Sequence, residues 1–359
     1  MLMLICSSFA WTVSPKEHIL FSYLGLFFPF ILAINIAYLV FWLISFRWKL
    51  LLVSVAVLIF CWKPIVTYFP FHLQDKKVPE GSIKLLTYNV RAFNGYMTGK
   101  NGEINPIFKY IRDSKADIVC IQEFIAMRNM DGNVATKAEI KKILQHYPYQ
   151  SVVGLAASNK FSLYGLACYS KYPIVKTIQI PFSGYYYNGS AIFRIKINDK
   201  IISVVNNHLE SNKITSEDKE LYQRFYATKS SDMIESIAHN IKSRMGVAYR
   251  LRASQVDTIA MYLDQEKEQT DAMIVCGDFN DTPISYAYHT VKGNLLDSYA
   301  ETGRGVGITY HENHFLFRID YIFHDDNFEA FNTKVGKIAS SDHYPVMTYL
   351  KLKDEEVEK

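Results

Sequence analysis

The sequence predicts an α/β protein in which β-strands stack as two sheets with helices outside them, preceded by an apolar helical region. Three observations predict it. Short β-type runs recur after residue 82, helical stretches lie between them, and residues 1–71 carry very little charge.

The apolar region comes first. Ile19 to Phe46 holds no charged residue and exceeds the ~20 residues that cross a bilayer. A second run, 50–71, holds only Lys63, near its far end, where a long side chain reaches the interface. Between the two, Arg47-Trp48-Lys49 is short enough only for a tight hairpin. Its positive charge predicts a cytoplasmic hairpin, so that the chain after Phe71 emerges on the opposite side. Residues 1–13 are apolar but too short to span. They lack the basic segment and small-residue cleavage site of a signal peptide, and are read as a shortened first helix left by a late start codon.

A polar linker, residues 72–82 (HLQDKKVPEGS), separates this region from a domain spanning 83–359. In that domain β-type runs begin at Ile83, Asp117, Gly165, Ala191, Ile201, Ala272, Arg318 and Tyr344. Several mix alternation with continuous apolar stretches, as in sheets covered on both faces. Helical stretches are expected over Glu103–Ser114, Thr136–His146 and a long polar segment from about Ser216 to Glu268. The segment 211–268 is longer than a direct path between its flanking strands needs.

Charge and cysteine content narrow the function classes. Of 39 basic and 35 acidic side chains, 35 and 34 fall after residue 71, so the domain lacks the basic footprint of a tight nucleic-acid binder. The five cysteines sit in apolar contexts and are read as buried thiols without disulfides.

Oxygen-bearing side chains collect where the strands end. Asn89 closes the first, Glu123 the second and His208 the strand ending in Asn-Asn-His, while Asp278 and Asn280 follow the strand that runs into GDFNDTP. Asp320 lies in RIDY, and Asp342 with His343 precede the last strand. Each is ordinary singly, since Gly, Asp, Asn and Pro favour turns for local backbone reasons. Together they suit metal-assisted phosphoester hydrolysis, because loops beyond strands present catalytic groups and carboxylate and amide oxygens are hard ligands for Mg²⁺ or Mn²⁺. A zinc site would be expected to use several His or Cys. Two histidines with carboxylate partners supply acid–base groups.

TYNVR, IQEF, NNHLES, GDFNDTP, RIDYIF and SDHYPV stand in the order and approximate spacing of the endonuclease/exonuclease/phosphatase (DNase I-like) superfamily, which the chain resembles from about Ile83 to Leu352. That superfamily includes pancreatic-type DNase, exodeoxyribonuclease III-type abasic endonucleases, inositol polyphosphate 5-phosphatases and neutral sphingomyelinases. The resemblance implies a four-layer α/β sandwich of two packed, mainly antiparallel sheets with the site at one sheet edge. It implies metal-binding roles for Glu123 and Asn89, with Asp342 near the metal. Asp278 and Asn280 would position the attacking water and the phosphate. His343 would act as base or transition-state stabiliser, oriented by Asp320. His208 stands where the DNase and phosphatase branches keep histidine and abasic endonucleases commonly have tyrosine. Arg194 is a weaker candidate for a phosphate contact.

The arrangement of helices before the domain resembles membrane-anchored members from Bacteroidetes-like bacteria. The expectation is therefore an enzyme of the bacterial inner (cytoplasmic) membrane with a periplasmic catalytic domain. Its partners would be the lipid bilayer and a phosphoester substrate, either nucleic acid or a phospholipid headgroup. A nuclease-like phosphodiesterase is preferred. A lipid or inositol-phosphate phosphoesterase and a non-catalytic tethered binding protein stand as alternatives. Local basic side chains, Lys242, Arg244, Arg250 and Arg252, would offer a nucleic acid a strip to bind, and His311 and His314 are further candidates to line the pocket.

Overall fold

The β-type runs pair into two six-stranded sheets. In chain order the strands are β1 (Ile83–Asn89), β2 (Ile118–Met127), β3 (Tyr149–Gly154), β4 (Ser162–Ser170), β5 (Ile174–Ile180) and β6 (Gly189–Ile197). They continue as β7 (Lys200–His208), β8 (Ala272–Asp278), β9 (Leu296–Asp297), β10 (Asp320–His324), β11 (Phe328–Val335) and β12 (Val346–Leu352). The first sheet runs β11-β12-β1-β2-β4-β3 and the second β5-β6-β7-β8-β10-β9. This computed structural model describes residues 1–73, 75–95, 104–127, 135–155, 158, 160–184, 187–212, 231–312 and 315–353, with 95 and 231–242 described through their backbone alone. His314 and residues 213–230 lie outside the described residues.

Pairing is antiparallel except for β1 with β2 and β7 with β8, one parallel pair near the middle of each sheet. A parallel pair needs a crossover that carries the chain back to its starting edge. Helix Pro106–Ser114, started by the Asn105 side chain accepting from the Ile107 N–H, lies in the first crossover. Helix Ser231–Lys267 lies in the second, which explains the length of the 211–268 segment.

Period-two alternation decides which residues enter which layer. Leu85, Ile118, Cys120, Phe193, Val204 and Ile274 belong to the core between the sheets. Leu86, Val119 and Ile121 face the other way and pack on Ile107, Phe108, Ile111 and Ile140. Both faces of the first sheet are therefore covered, as its unbroken apolar runs predict. All five cysteines are free thiols, and Cys61, Cys120, Cys168 and Cys276 are buried.

The chain forms two compact units. One holds both sheets: Phe71–Leu209, Thr258–Asn280 and Lys292–Lys359. In it the 72–82 linker lies along β11, where the Lys76 N–H donates to Asn332 Oδ1 (2.8 Å) and Asn332 Nδ2 donates to the Lys76 carbonyl (2.7 Å). The linker is thereby tied to the edge strand through the Asn332 side-chain amide.

The other unit comprises Met1–Pro70, Glu210–Asp257 and Asp281–Val291. Its first helices are α1 (Leu2–Ser8), α2 (Ile19–Leu26), α3 (Phe28–Ile44), α4 (Trp48–Phe60) and α5 (Trp62–Tyr68). No single described helix is long and apolar enough to cross a membrane; two bent pairs are, by length and composition, α2 with α3 (59°) and α4 with α5 (62°). Two uninterrupted spans were the sequence expectation, and proline accounts for the difference. Pro29 and Pro64 lack the N–H that would continue the preceding helix, and their rings clash with its last turn. α3 and α4 form the expected hairpin about Arg47. Residues 1–18 pack within this unit, with Trp11 stacked on His289 (4.2 Å between centroids) and Lys16 bonded to Asp257 (2.6 Å).

Candidate active site

The predicted residues converge at the carboxyl ends of the two parallel pairs. Asn89 ends β1, His208 ends β7 and Asp278 ends β8. Glu123 lies within β2, where the register against β4 shifts between Ile121 and Phe124. Its φ of 51° marks the irregularity, which re-aims the side chain. Asp320, the first residue of β10, is the direct register partner of Asp278.

Asn89 is the hinge of the first half of the site. Its Nδ2 donates to Glu123 Oε1 (3.1 Å) and to Asp278 Oδ2 (2.9 Å), so residues from both sheets meet at one amide. His208 Nε2 lies 3.6 Å from Glu123 Oε1 and 3.9 Å from Asp278 Oδ2. Asn280, with φ of 51°, turns back so that its N–H donates to Asp278 Oδ1 (2.8 Å) and its Nδ2 to the Leu209 carbonyl (2.9 Å). Beneath them Gln122 Nε2 donates to Asn206 Oδ1 (2.5 Å) and Thr87 Oγ1 (2.9 Å), a polar tie between the sheets.

The second half is a histidine–carboxylate dyad. His343 Nδ1 donates to Asp320 Oδ2 (2.9 Å), and Nε2 lies 3.6 Å from Asp278 Oδ2. His343 is 4% exposed and Asp278 1%. Burial disfavours the charged imidazolium, but Asp320 and Asp278 outweigh it and raise the His343 pKa to about 10. Burial also pushes the Asp278 carboxyl upward, opposed by His343. Such opposed environments around a few buried groups are typical of working sites.

Asp342 is held differently from the other predicted metal residues. Its carboxylate accepts from Ser341 Oγ (3.2 Å) and lies 3.7 Å from Arg91 Nε. Arg91 itself donates to Glu312 Oε1 (2.8 Å) and is 45% exposed at the side chain. Neither Arg91 nor Glu312 was singled out from the sequence. Arg91 opens a left-handed stretch, Arg91 to Asn94, containing no glycine, so no local signal announces it. His311 packs beside the dyad turn, its ring stacked on Tyr344 (3.9 Å) and its N–H donating to the Asp342 carbonyl (3.1 Å).

Two arginine expectations are corrected. Arg194 makes a bidentate pair with Glu266 (2.7 and 2.9 Å), tying β6 to the end of helix Ser231–Lys267, and is no phosphate contact. Arg252 is 1% exposed, so it cannot belong to a surface basic strip.

The donor set suits a hard divalent cation. Glu123 is an oxygen ligand whose side chain is 28% exposed among buried neighbours; the Asn89 amide nitrogen donates to it, while the Asn89 amide oxygen accepts from the Arg91 N–H (3.1 Å). Among the described residues, one group of three metal-type ligands has its atoms within 4.8 Å of one another: Asp278, Asp320 and His343. There His343 Nδ1 is already engaged by Asp320, which favours a proton-carrying dyad over ligation at that atom.

Residues 86–343 match the model of the endonuclease/exonuclease/phosphatase family, and residues 1–68 match a domain of unknown function (DUF8431). No curated protein sequence matches the chain. Among solved structures, an endonuclease/exonuclease/phosphatase from Beutenbergia cavernae superposes with a TM-score of 0.51 at 16% identity, covering 76% of this chain and 72% of that one. Truncated Caenorhabditis elegans TDP2 gives 0.51 at 14% identity (77% and 99% covered). The human Nocturnin catalytic domain with bound sulfate gives 0.51 at 13% (78% and 97%). At these identities the likeness establishes the fold.

Proposed function

The chain belongs to the endonuclease/exonuclease/phosphatase family, and we propose that it is a membrane-anchored bacterial phosphoesterase, dependent on Mg²⁺ or Mn²⁺, that hydrolyses phosphodiester or phosphomonoester bonds in a nuclease-like manner. The observation that carries this reading is the His343–Asp320 dyad set against Asp278, with Asn89 and His208 beside the same carboxylate and Glu123 beside both of them.

In this reading Asp278, oriented by Asn89 and Asn280, holds the attacking water and accepts its proton as the water oxygen bonds to phosphorus. His343, kept as the imidazolium with its Nδ1–H hydrogen-bonded to Asp320, donates from Nε2 to the oxygen that leaves. His343 Nε2 lies 3.6 Å from Asp278 Oδ2, so one bridging water would carry the proton back from Asp278 to His343 and reset both groups. His208 hydrogen-bonds a non-bridging phosphoryl oxygen. A divalent cation held by Glu123 and Asn89 would neutralise charge developing on the phosphoryl group. Asp342 supports that side of the site while paired with Arg91.

The anchor reading rests on the bent apolar pairs and on their surface. Phe30, Ile34, Tyr38, Phe41 and Ile44 of α3, with Leu52, Val53 and Ile59 of α4, are all exposed, and such groups of large apolar side chains mark interaction or membrane surfaces. The basic link at Arg47 supports an extracytoplasmic position for the hydrolase at the inner membrane. The same anchor is the observation behind a second reading, in which the substrate is a phospholipid headgroup. The test is a parallel assay of the full chain in detergent with Mg²⁺ against plasmid DNA, RNA, phosphoinositide and sphingomyelin, together with a reporter fused after Ser82. Nicked plasmid and an extracytoplasmic reporter are expected. Headgroup turnover without nicking would overturn the nuclease choice, and a reporter active only in the cytoplasm would reverse the topology.

A further inference from the structure

One buried arginine, Arg252, ties together the two chain segments that leave the candidate site. Glu210 directly follows Leu209 after the His208 strand, and Asp281 directly follows Asn280 after the Asp278 strand. Within the unit containing both exits, Arg252 Nε donates to the Glu210 carbonyl (2.9 Å) and its NH1 to Asp281 Oδ2 (2.6 Å). Its NH2 donates to Asn212 Oδ1 (2.6 Å). Three residues further along the same helix, Gln255 Oε1 accepts from the Glu210 N–H (2.9 Å). Both backbone polar groups of Glu210 are thus held by one helical face. The guanidinium lies over the Tyr249 ring at 5.1 Å, and that ring meets Tyr23 of α2 edge-on at 5.9 Å.

A buried ion pair is weak grounds for stability, because desolvation offsets the attraction and an apolar pair of similar volume often serves as well. What an apolar pair cannot do is hold three acceptors from two segments at once, which the arginine fork does. Lysine offers no such fork. We infer that Arg252 is a positioning residue for the hydrolytic reaction: it fixes the two exits, Glu210–Asn212 after the His208 strand and Asp281 after the Asp278–Asn280 turn, relative to each other. The inference rests on the proposed phosphoesterase reading for its kinetic part only. Displacement of reacting groups by about 1 Å costs on the order of 10²-fold in rate, so a small relaxation of either exit is enough to matter.

The test compares full-length wild type, Arg252→Lys and the paired apolar variant Arg252→Met/Asp281→Leu, which removes both charges together. A control, Arg194→Lys, alters a partly buried arginine whose partner Glu266 lies away from both exits. Turnover of bis(p-nitrophenyl) phosphate with Mg²⁺ is measured beside amide hydrogen exchange and thermal unfolding. The expected result is a fall in kcat of about tenfold to a hundredfold with KM within about twofold in both Arg252 variants. Exchange at Glu210 should be faster, unfolding should stay cooperative, and Arg194→Lys should change unfolding temperature alone. Folded Arg252 variants with wild-type kcat and unchanged exchange at Glu210 would overturn the inference. So would failure of both variants to fold, which would make Arg252 a general requirement of the fold. An inactive wild type would contradict the phosphoesterase reading instead, and the exchange data would still decide the placement of the exits.

Discussion

His343 Nδ1 stands 2.9 Å from Asp320 Oδ2, while the other nitrogen of the same ring stands 3.6 Å from Asp278 Oδ2. One imidazole therefore joins an orienting carboxylate to the carboxylate that shares a hydrogen-bonded amide with Glu123. Replacing His343 with Ala should lower kcat by ~10²- to 10⁴-fold with little change in KM, the usual cost of losing a positioned acid or base. Asp320→Asn should cost less than His343→Ala while keeping the fold. Steady-state kinetics on the two variants checks the order; equal kcat in wild type and His343→Ala would remove the dyad from the mechanism.

Glu123 offers a partly exposed carboxylate, and its exchange for Gln keeps the shape while removing the charge. Activity should fall by at least about 10²-fold, since even the residues that merely orient metal ligands cost 10- to 100-fold when lost. The accompanying loss of Mn²⁺ affinity should be visible by calorimetry. Undiminished affinity in Glu123→Gln would move the cation elsewhere.

Stability should also depend on pH through His343. Its folded pKa is raised from 6.5 to about 10, so the folded state holds a proton that the unfolded chain releases above its ordinary pKa. The stabilisation is complete below about 6.5 and fades as pH climbs toward about 10. Chelated wild type should lose stability across that window. His343→Gln should show a flatter curve there, which urea unfolding at stepped pH measures directly.

Gly277 precedes Asp278 with a φ of 125°, and a Cβ added there would overlap the carbonyl oxygen of Asn207 on β7. Gly277→Ala should destabilise the fold by about 1–3 kcal/mol or more, since both backbone conformation and strand spacing oppose it. Denaturant melts give the value. A neutral result would mean that the β7–β8 register relaxes at no cost.

The predicted β-runs and the pairing of the sheets show where sequence reading succeeds. All eight runs correspond to strands, whereas β3, β5, β9 and β11 were not anticipated, and these are the four outer strands of the two sheets. An outer strand is paired on one side only, so it needs no continuous apolar run. β5 alternates little and is largely exposed, and β9 has two residues. The site residues were legible because most sit at or beside a strand end in a motif of fixed order; Glu123 was expected to end its strand, but β2 continues past it to Met127. Arg91 and Glu312 were not, since their placement depends on a left-handed turn and a hairpin that no residue type demands. Arg252 reads as a surface charge on a polar helix until its three acceptors are seen.

Divalent-cation-dependent cleavage of a phosphoester by the cluster around Asp278 is the central claim, and turnover before and after chelation measures it most directly. Full-length wild type, Glu123→Gln and His343→Ala are assayed with a chromogenic phosphodiester in Mg²⁺, then in chelator, then with Mg²⁺ restored. The account predicts activity in wild type that disappears on chelation and returns with the cation, and near-background activity in both variants throughout. Turnover that survives the chelator, or that both variants retain, would contradict it.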